Sequence, residues 1–157
     1  MTHVVVRYAE PADLDAVAPL FDAYRRFYGC KPDVAAARAF LADRLTREES
    51  VILVALLGES PEGAGAAIAG FAQLYPSFSS VSLTPTLILN DLFVAAEARR
   101  RGIASRLVDA SAVHARRVGA VRLELATQHG NEPALRLYRA KGFVADSEFA
   151  HLSLSLD

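Results

Sequence analysis

The chain has 157 residues and a single cysteine, Cys30. One thiol excludes an internal disulfide and any cysteine-rich zinc site, and suits a reducing compartment. Neither sign of charge is in excess. Lys and Arg number 17 against 18 Asp and Glu, a formal net charge of −1, so the molecule as a whole has no electrostatic reason to coat nucleic acid. No apolar run is long enough to cross a bilayer. The opening MTHVVVRYAEPAD lacks a basic n-region and has too few apolar residues for a secretory signal. The expectation is a cytoplasmic protein with neither a membrane nor a nucleic-acid partner and no metal site. Neither of the better-known phosphate loops, G-x-x-x-x-G-K-[ST] or G-x-G-x-x-G, occurs, and there is no internal repeat. What is present is ample core material: 52% hydrophobic and 22% charged residues, in a length that predicts one domain over 1–157.

The stretch that organises the rest runs from Leu87 to Val118. An apolar strand, LILNDLFV, leads through AAEA into Arg99, Arg100, Arg101 and Gly102, and a helix opens at Ile103. The first amides of a helix have no partner inside it, and their dipoles leave partial positive charge there, which favours phosphate oxygens. Gly102 removes a Cβ where a ligand would approach, and Ala104 is nearly as small. Exposed arginine runs are usually solvated surface. Three at a helix N-terminus are nonetheless unfavourable by roughly 0.3 to 1 kcal/mol each, and a bound diphosphate turns that repulsion into attraction.

The remaining chain predicts a mixed sheet with helices on its faces. Val4–Tyr8 reads as a strand, followed by a helix with Leu14, Val17, Phe21, Tyr24 and Tyr28 on one face, loosened at Pro19 and ended by Gly29. Asp33 opens a second helix carrying Val34, Ala37, Leu41 and Leu45. The aromatics Tyr24, Phe27 and Tyr28 read as core in preference to a substrate wall. Val51–Leu57 and Ala67–Tyr75 pair as an antiparallel hairpin across GESPEGAGA, with Pro76 ending the second strand. Residues 120–127 alternate as a strand, Pro133 and Gly142 bracket a short helix, and further strands are expected near Phe143 and over Phe149–Leu156.

Two motifs resemble the GNAT N-acetyltransferases. Arg99 to Ala104 is similar to that family's Q/R-x-x-G-x-G/A acyl-CoA signature. Asn131, Ala134, Leu137, Tyr138, Gly142 and Phe143 match N-x-x-A-x-x-L-Y-x-x-x-G-F. The resemblance implies an α/β fold of α+β type, a mixed and mostly antiparallel central sheet flanked by helices, and acetyl-CoA as cofactor. It places Leu92, Phe93 and Val94 along the pantetheine arm, with backbone groups of Leu92 and Val94 bonding it like an added strand. It wraps Arg99, Arg100, Arg101, Gly102, Ile103, Ala104 and Ser105 around the diphosphate, and sets Asn131 on the other side of the arm. Arg101 and the amides of Gly102, Ile103 and Ala104 are the implied direct contacts, with Arg99 and Arg100 more peripheral.

Acetyl transfer to an amine needs a base, a donor for the oxyanion and an acid for the departing sulfur. The resemblance offers the Val94 amide as donor and Tyr138 as acid, a phenol that stays protonated at neutral pH. As base it offers Glu124, on the strand after the central helix, then Asp91. A pairing of Glu124 with Arg122 is the competing structural reading. The QHG insertion before Asn131 departs from the family pattern and weakens the Glu124 assignment; His129 lies within it. Asp91, Glu124 and Glu148 are candidates for an acidic lining. The acceptor is left open among a small primary amine, a polyamine, an amino acid and a peptide N-terminus or lysine. A non-catalytic acyl-CoA sensor is the alternative, and a homodimer is the family's common habit.

Overall fold

The computed structural model describes residues 2–59 and 65–157. Part of the GESPEGAGA turn, residues 60–64, lies outside the described residues. The chain divides into two compact units, Met1–Ala126 and Thr127–Asp157, and each is described by itself.

The first unit is a five-stranded sheet in the order β1-β2-β3-β4-β5. β1 (His3–Tyr8), β2 (Val51–Gly58), β3 (Ala67–Ser79) and β4 (Thr84–Val94) run antiparallel in turn; β5 (Leu123–Glu124) joins β4 in parallel. Helices α1 (Leu14–Phe27) and α2 (Val34–Thr46) precede β2, and α3 (Ile103–Arg117) follows β4. Both faces of the middle strands are covered, which explains why they read as continuous apolar runs. Ile52, Val54 and Phe71 pack with Leu14, Val17 and Phe21 of α1 and with Ala37 and Leu41 of α2. On the opposite face α3 comes so close to β3 that a Cβ built on Gly70 lies 3.2 Å from Ile103 and 2.9 Å from the Phe93 carbonyl.

Several boundaries differ from the sequence reading, each for a physical reason. α1 continues through Pro19 without a break in the helix. β3 runs past Pro76 to Ser79. Its neighbour β2 ends at the Val51–Leu74 pair, so the missing proline N–H points to a side where no strand remains to be paired. The strand expected over 120–127 shrinks to Leu123–Glu124, and residues 143–157 form no strand. Alternation marks the faces of 120–127 but not whether a sheet edge is available along its whole length.

In the second unit α4 (Glu132–Ala140) is capped by Asn131, whose side-chain oxygen accepts from the Ala134 amide at 3.4 Å. Pro133 sits in the first turn, where no N–H is required. Gly142, with φ +93°, ends it in the left-handed region that favours glycine.

Candidate active site

The central strand β4 carries a bulge. Gln73 faces Asp91 while the next residue, Leu74, faces Leu89, which leaves Asn90 as the extra residue. A bulge bends and twists its strand. β5 pairs with β4 only at Leu87 and Ile88, so beyond Ile88 the outer edge of β4 has no ladder partner among the described residues. Which groups it presents follows from alternation. The Ala95 amide donates to the Ala69 carbonyl at 2.8 Å, so Phe93 also points toward β3, and the main-chain groups of Leu92 and Val94 point away from it. The Val94 carbonyl is taken on that outer side by Arg99 Nε at 3.1 Å. Leu92 and the Val94 amide remain open to a ligand lying along the edge.

The same strand leads, through a 3₁₀ turn at Ala96–Ala98, into α3. Gly102 is its N-cap with φ +74° and supplies no side chain to the cap. The first main-chain bond into the helix runs from the Arg106 amide to the Gly102 carbonyl at 3.1 Å. The amides of Ile103, Ala104 and Ser105 therefore have no acceptor among the described residues. A Cβ added at Gly102 would meet nothing within 4 Å. Glycine is favoured here by its backbone angle, and the space above the turn is open. Arg100 is held at φ 62°, an uncommon conformation for a residue with a side chain. Arg100 and Arg101 are exposed and make no ion pair among the described residues. Arg99 differs from them: besides its bond to Val94, its guanidinium lies 5.5 Å from the Phe93 ring centre.

Beside the bulge lies an open cleft of about 330 Å³. Phe21, Tyr24, Tyr28, Phe40 and Tyr75 form its walls, and Asp91 and Arg25 are its charged lining residues. Asp91 is 3% exposed. Its carboxylate accepts from Gln73 Nε2 at 2.6 Å, directly across the β3–β4 pair, and from Asn90 Nδ2 at 3.0 Å. Gln73 is itself fixed by Ser50, whose hydroxyl donates to Oε1 at 3.0 Å. Burial pushes the Asp91 carboxyl above the ordinary aspartate range, against the pull of hydrogen bonds from Gln73, Tyr24 and Asn90. Burial next to Asp91 likewise raises the Tyr24 phenol and moves Tyr75 up to about 12.

Among the sequence candidates, the first unit thus brings Asp91, Leu92, Phe93 and Val94 onto one strand and Arg99 to Ser105 onto the turn after it. Glu124 is not part of the cleft lining. It is half-exposed on β5 and bound to Arg122 Nε at 2.6 Å, the competing reading. Tyr24 and Tyr28 form cleft wall instead of closed core, and Phe27 is 60% exposed. In the second unit the Tyr138 ring meets Phe143 edge-on at 5.7 Å; His129 and Glu148 are exposed. Sequence reasoning missed Arg25, Gln73, Ser50 and Tyr75. The one signal available was an Asn-Asp pair inside an otherwise apolar strand.

A sheet whose bulged central strand has an open outer edge and runs into an unpaired helix N-terminus, beside an aromatic cleft with a buried carboxylate, suits an acyl-CoA-dependent transferase. The sequence profile of the Acetyltransferase (GNAT) family matches residues 17–143, and the chain belongs to that family. It is 45% identical over 151 residues to an uncharacterized N-acetyltransferase, YhfO, of Bacillus subtilis (strain 168), covering 96% of this chain and 97% of that protein. A crystal structure of a probable acetyltransferase superposes with a TM-score of 0.87 at 42% identity, over 99% of this chain and 98% of the other. The fold is shared with the aminoglycoside N-acetyltransferase AAC(6')-Iy in complex with CoA, at a TM-score of 0.78 and 19% identity, over 100% of this chain and 97% of that one. The chain is accordingly an acyl-CoA-dependent N-acetyltransferase. The residues present fit acetyl-CoA, the cofactor generally used by the family: open amides on β4, unpaired amides at α3, free guanidinium groups and clear space above Gly102.

Proposed function

We propose that this chain transfers the acetyl group of acetyl-CoA to a primary amine bound in the aromatic cleft, by direct attack while both partners are held. The observation that carries this reading is a buried carboxylate in an aromatic cleft, on the same strand as the open cofactor edge. When bound, acetyl-CoA supplies a thioester carbonyl open to attack.

The protein's own groups divide the remaining work. Leu92 and Val94 orient the pantetheine arm along the outer edge of β4. Gly102 to Ser105 present amides to the diphosphate, and Arg101 adds a charge-assisted bond, with Arg99 and Arg100 further out. Asn131 keeps the role its motif implies, a donor to the pantetheine arm. Asp91 receives the ammonium form of the acceptor and takes its proton; the bonds from Gln73 and Asn90 keep the carboxylate aimed. Asp91 is preferred as base over Glu124, whose oxygen is engaged by Arg122. The Val94 amide stabilises negative charge developing on the carbonyl oxygen. Tyr138 keeps the role its motif implies, donating a proton to the departing sulfur.

Release of free thiol from acetyl-CoA, assayed against small amines, polyamines, amino acids and a peptide with a free N-terminus, tests the proposal. Amine-dependent release supports it. Tight CoA binding with no release for any amine would make the chain an acyl-CoA sensor instead.

A further inference from the structure

We infer that the acceptor carries a carboxylate as well as its amine, and that Arg25 is the residue that selects it. The inference rests on the cleft being the acceptor site. Two charged groups of opposite sign line that cleft, Asp91 and Arg25. No N···O contact within 4 Å joins them, so neither neutralises the other. Asp91 accepts side-chain hydrogen bonds from neutral partners, Gln73 and Asn90, and none of them cancels the charge it offers a cation when ionised.

Arg25 is left over for a definite reason. The carboxylate nearest to it on α1 is Asp22, and Asp22 is committed twice: to Arg26 Nε at 3.2 Å one helical turn on, and to the Asp33 amide at 2.8 Å. Arg25 makes no ion pair or side-chain hydrogen bond among the described residues. A guanidinium on the wall of an aromatic cleft is suited to a carboxylate, which it can hold through two parallel bonds. Tyr24, Tyr28 and Phe40 line the same cleft as aromatic surface. The complementary molecule is an amino acid with an apolar body, amine toward Asp91 and carboxylate toward Arg25. A polyamine or an unsubstituted alkylamine leaves Arg25 unanswered.

The test compares matched acceptors: L-phenylalanine against phenethylamine, and ε-aminocaproate against hexylamine. Each is measured for acetylation and, by calorimetry, for binding, in the wild-type chain, Arg25→Gln and Arg25→Lys. In at least one pair the wild-type protein should favour the carboxylated member in KM. Arg25→Gln should raise that KM about ten- to hundredfold, leave KM for the decarboxylated member and kcat for both within about twofold, and leave CoA affinity unchanged. Arg25→Lys should restore part of the loss. A wild-type preference for the decarboxylated member in both pairs, or an equal effect of Arg25→Gln on the two members, overturns the inference while leaving the transferase reading intact. Arg25-dependent binding of the carboxylated members with no acetylation of either overturns the inference that they are acceptors and leaves Arg25 as a carboxylate-binding residue only.

Discussion

At the scale of single residues, Asp91 concentrates the account. Its carboxyl is held above the ordinary range by burial, and the base must be ionised to accept a proton. Activity should therefore rise with pH through that elevated value. Asp91→Asn should lower kcat/KM by about 10²- to 10⁴-fold and remove this acidic limb from the pH profile; a limb that persists in the variant assigns it to another group. Tyr138→Phe should lower turnover more than CoA affinity, and an unchanged kcat would make the tyrosine structural. A second carboxylate behaves oppositely to Asp91. Arg7 binds Asp13 at 2.7 and 2.9 Å and holds its carboxyl below the usual range. That pair contributes stability above the ordinary aspartate pKa and loses it as pH falls through the lowered value. Because Arg7 is 40% exposed, Asp13→Asn should cost only about 0.2 to 1 kcal/mol near neutrality, with the difference vanishing in acid when the two denaturation curves are compared. As candidates, Tyr138 was marked in the sequence by its motif, and Asp91, second to Glu124 as base, by an oddly charged strand position. Gln73 and Arg25 were not, since each gains its meaning from a partner on another element: Gln73 from the β3–β4 register, and Arg25 from the prior claim of Arg26 on Asp22.

At the scale of elements, the junction of β3, β4 and α3 sets where the cofactor edge lies. Gly70 is the close-contact point. A methyl group there meets the Phe93 carbonyl at 2.9 Å and Ile103 at 3.2 Å, so strand or helix must shift. Gly70→Ala should destabilise the fold by about 1 to 3 kcal/mol and weaken CoA binding as well, read by denaturant titration and calorimetry. Wild-type values in both would mean the junction is looser than its geometry. The strand-turn-helix order was readable in the sequence because apolar period and turn chemistry are local properties. The bulge at Asn90, the passage of β3 through Pro76 and the shortness of β5 were not. Each depends on where a neighbouring strand stops, which no single segment encodes.

At the scale of the whole chain, the two units differ sharply in burial. The middle of β2 and β3 is sealed, with Val54, Ala55, Phe71, Ala72 and Leu74 at 0% exposure, whereas Val144, Leu152, Leu154 and Leu156 are 84 to 93% exposed. Among the described residues, the amide bonds within 144–157 are those of Glu148 and Phe149 to the Asp146 side chain. Hydrogen exchange should therefore be slowest in β2 and β3 and fast across 150–157. Strong protection in that last segment would show it paired in solution. The near-neutral charge of the chain directs attention from a global electrostatic function to a local one, because three consecutive arginines are gathered in one turn.

The central claim is that the diphosphate of coenzyme A rests on the unpaired amides that open α3. Its most direct measurement is an amide chemical-shift titration with coenzyme A and, separately, with pantetheine, which lacks the diphosphate. The amides of Gly102, Ile103, Ala104 and Ser105 should move with coenzyme A and stay still with pantetheine, while Leu92 and Val94 respond to both. Saturable binding of coenzyme A that leaves those four amides unmoved would contradict the account.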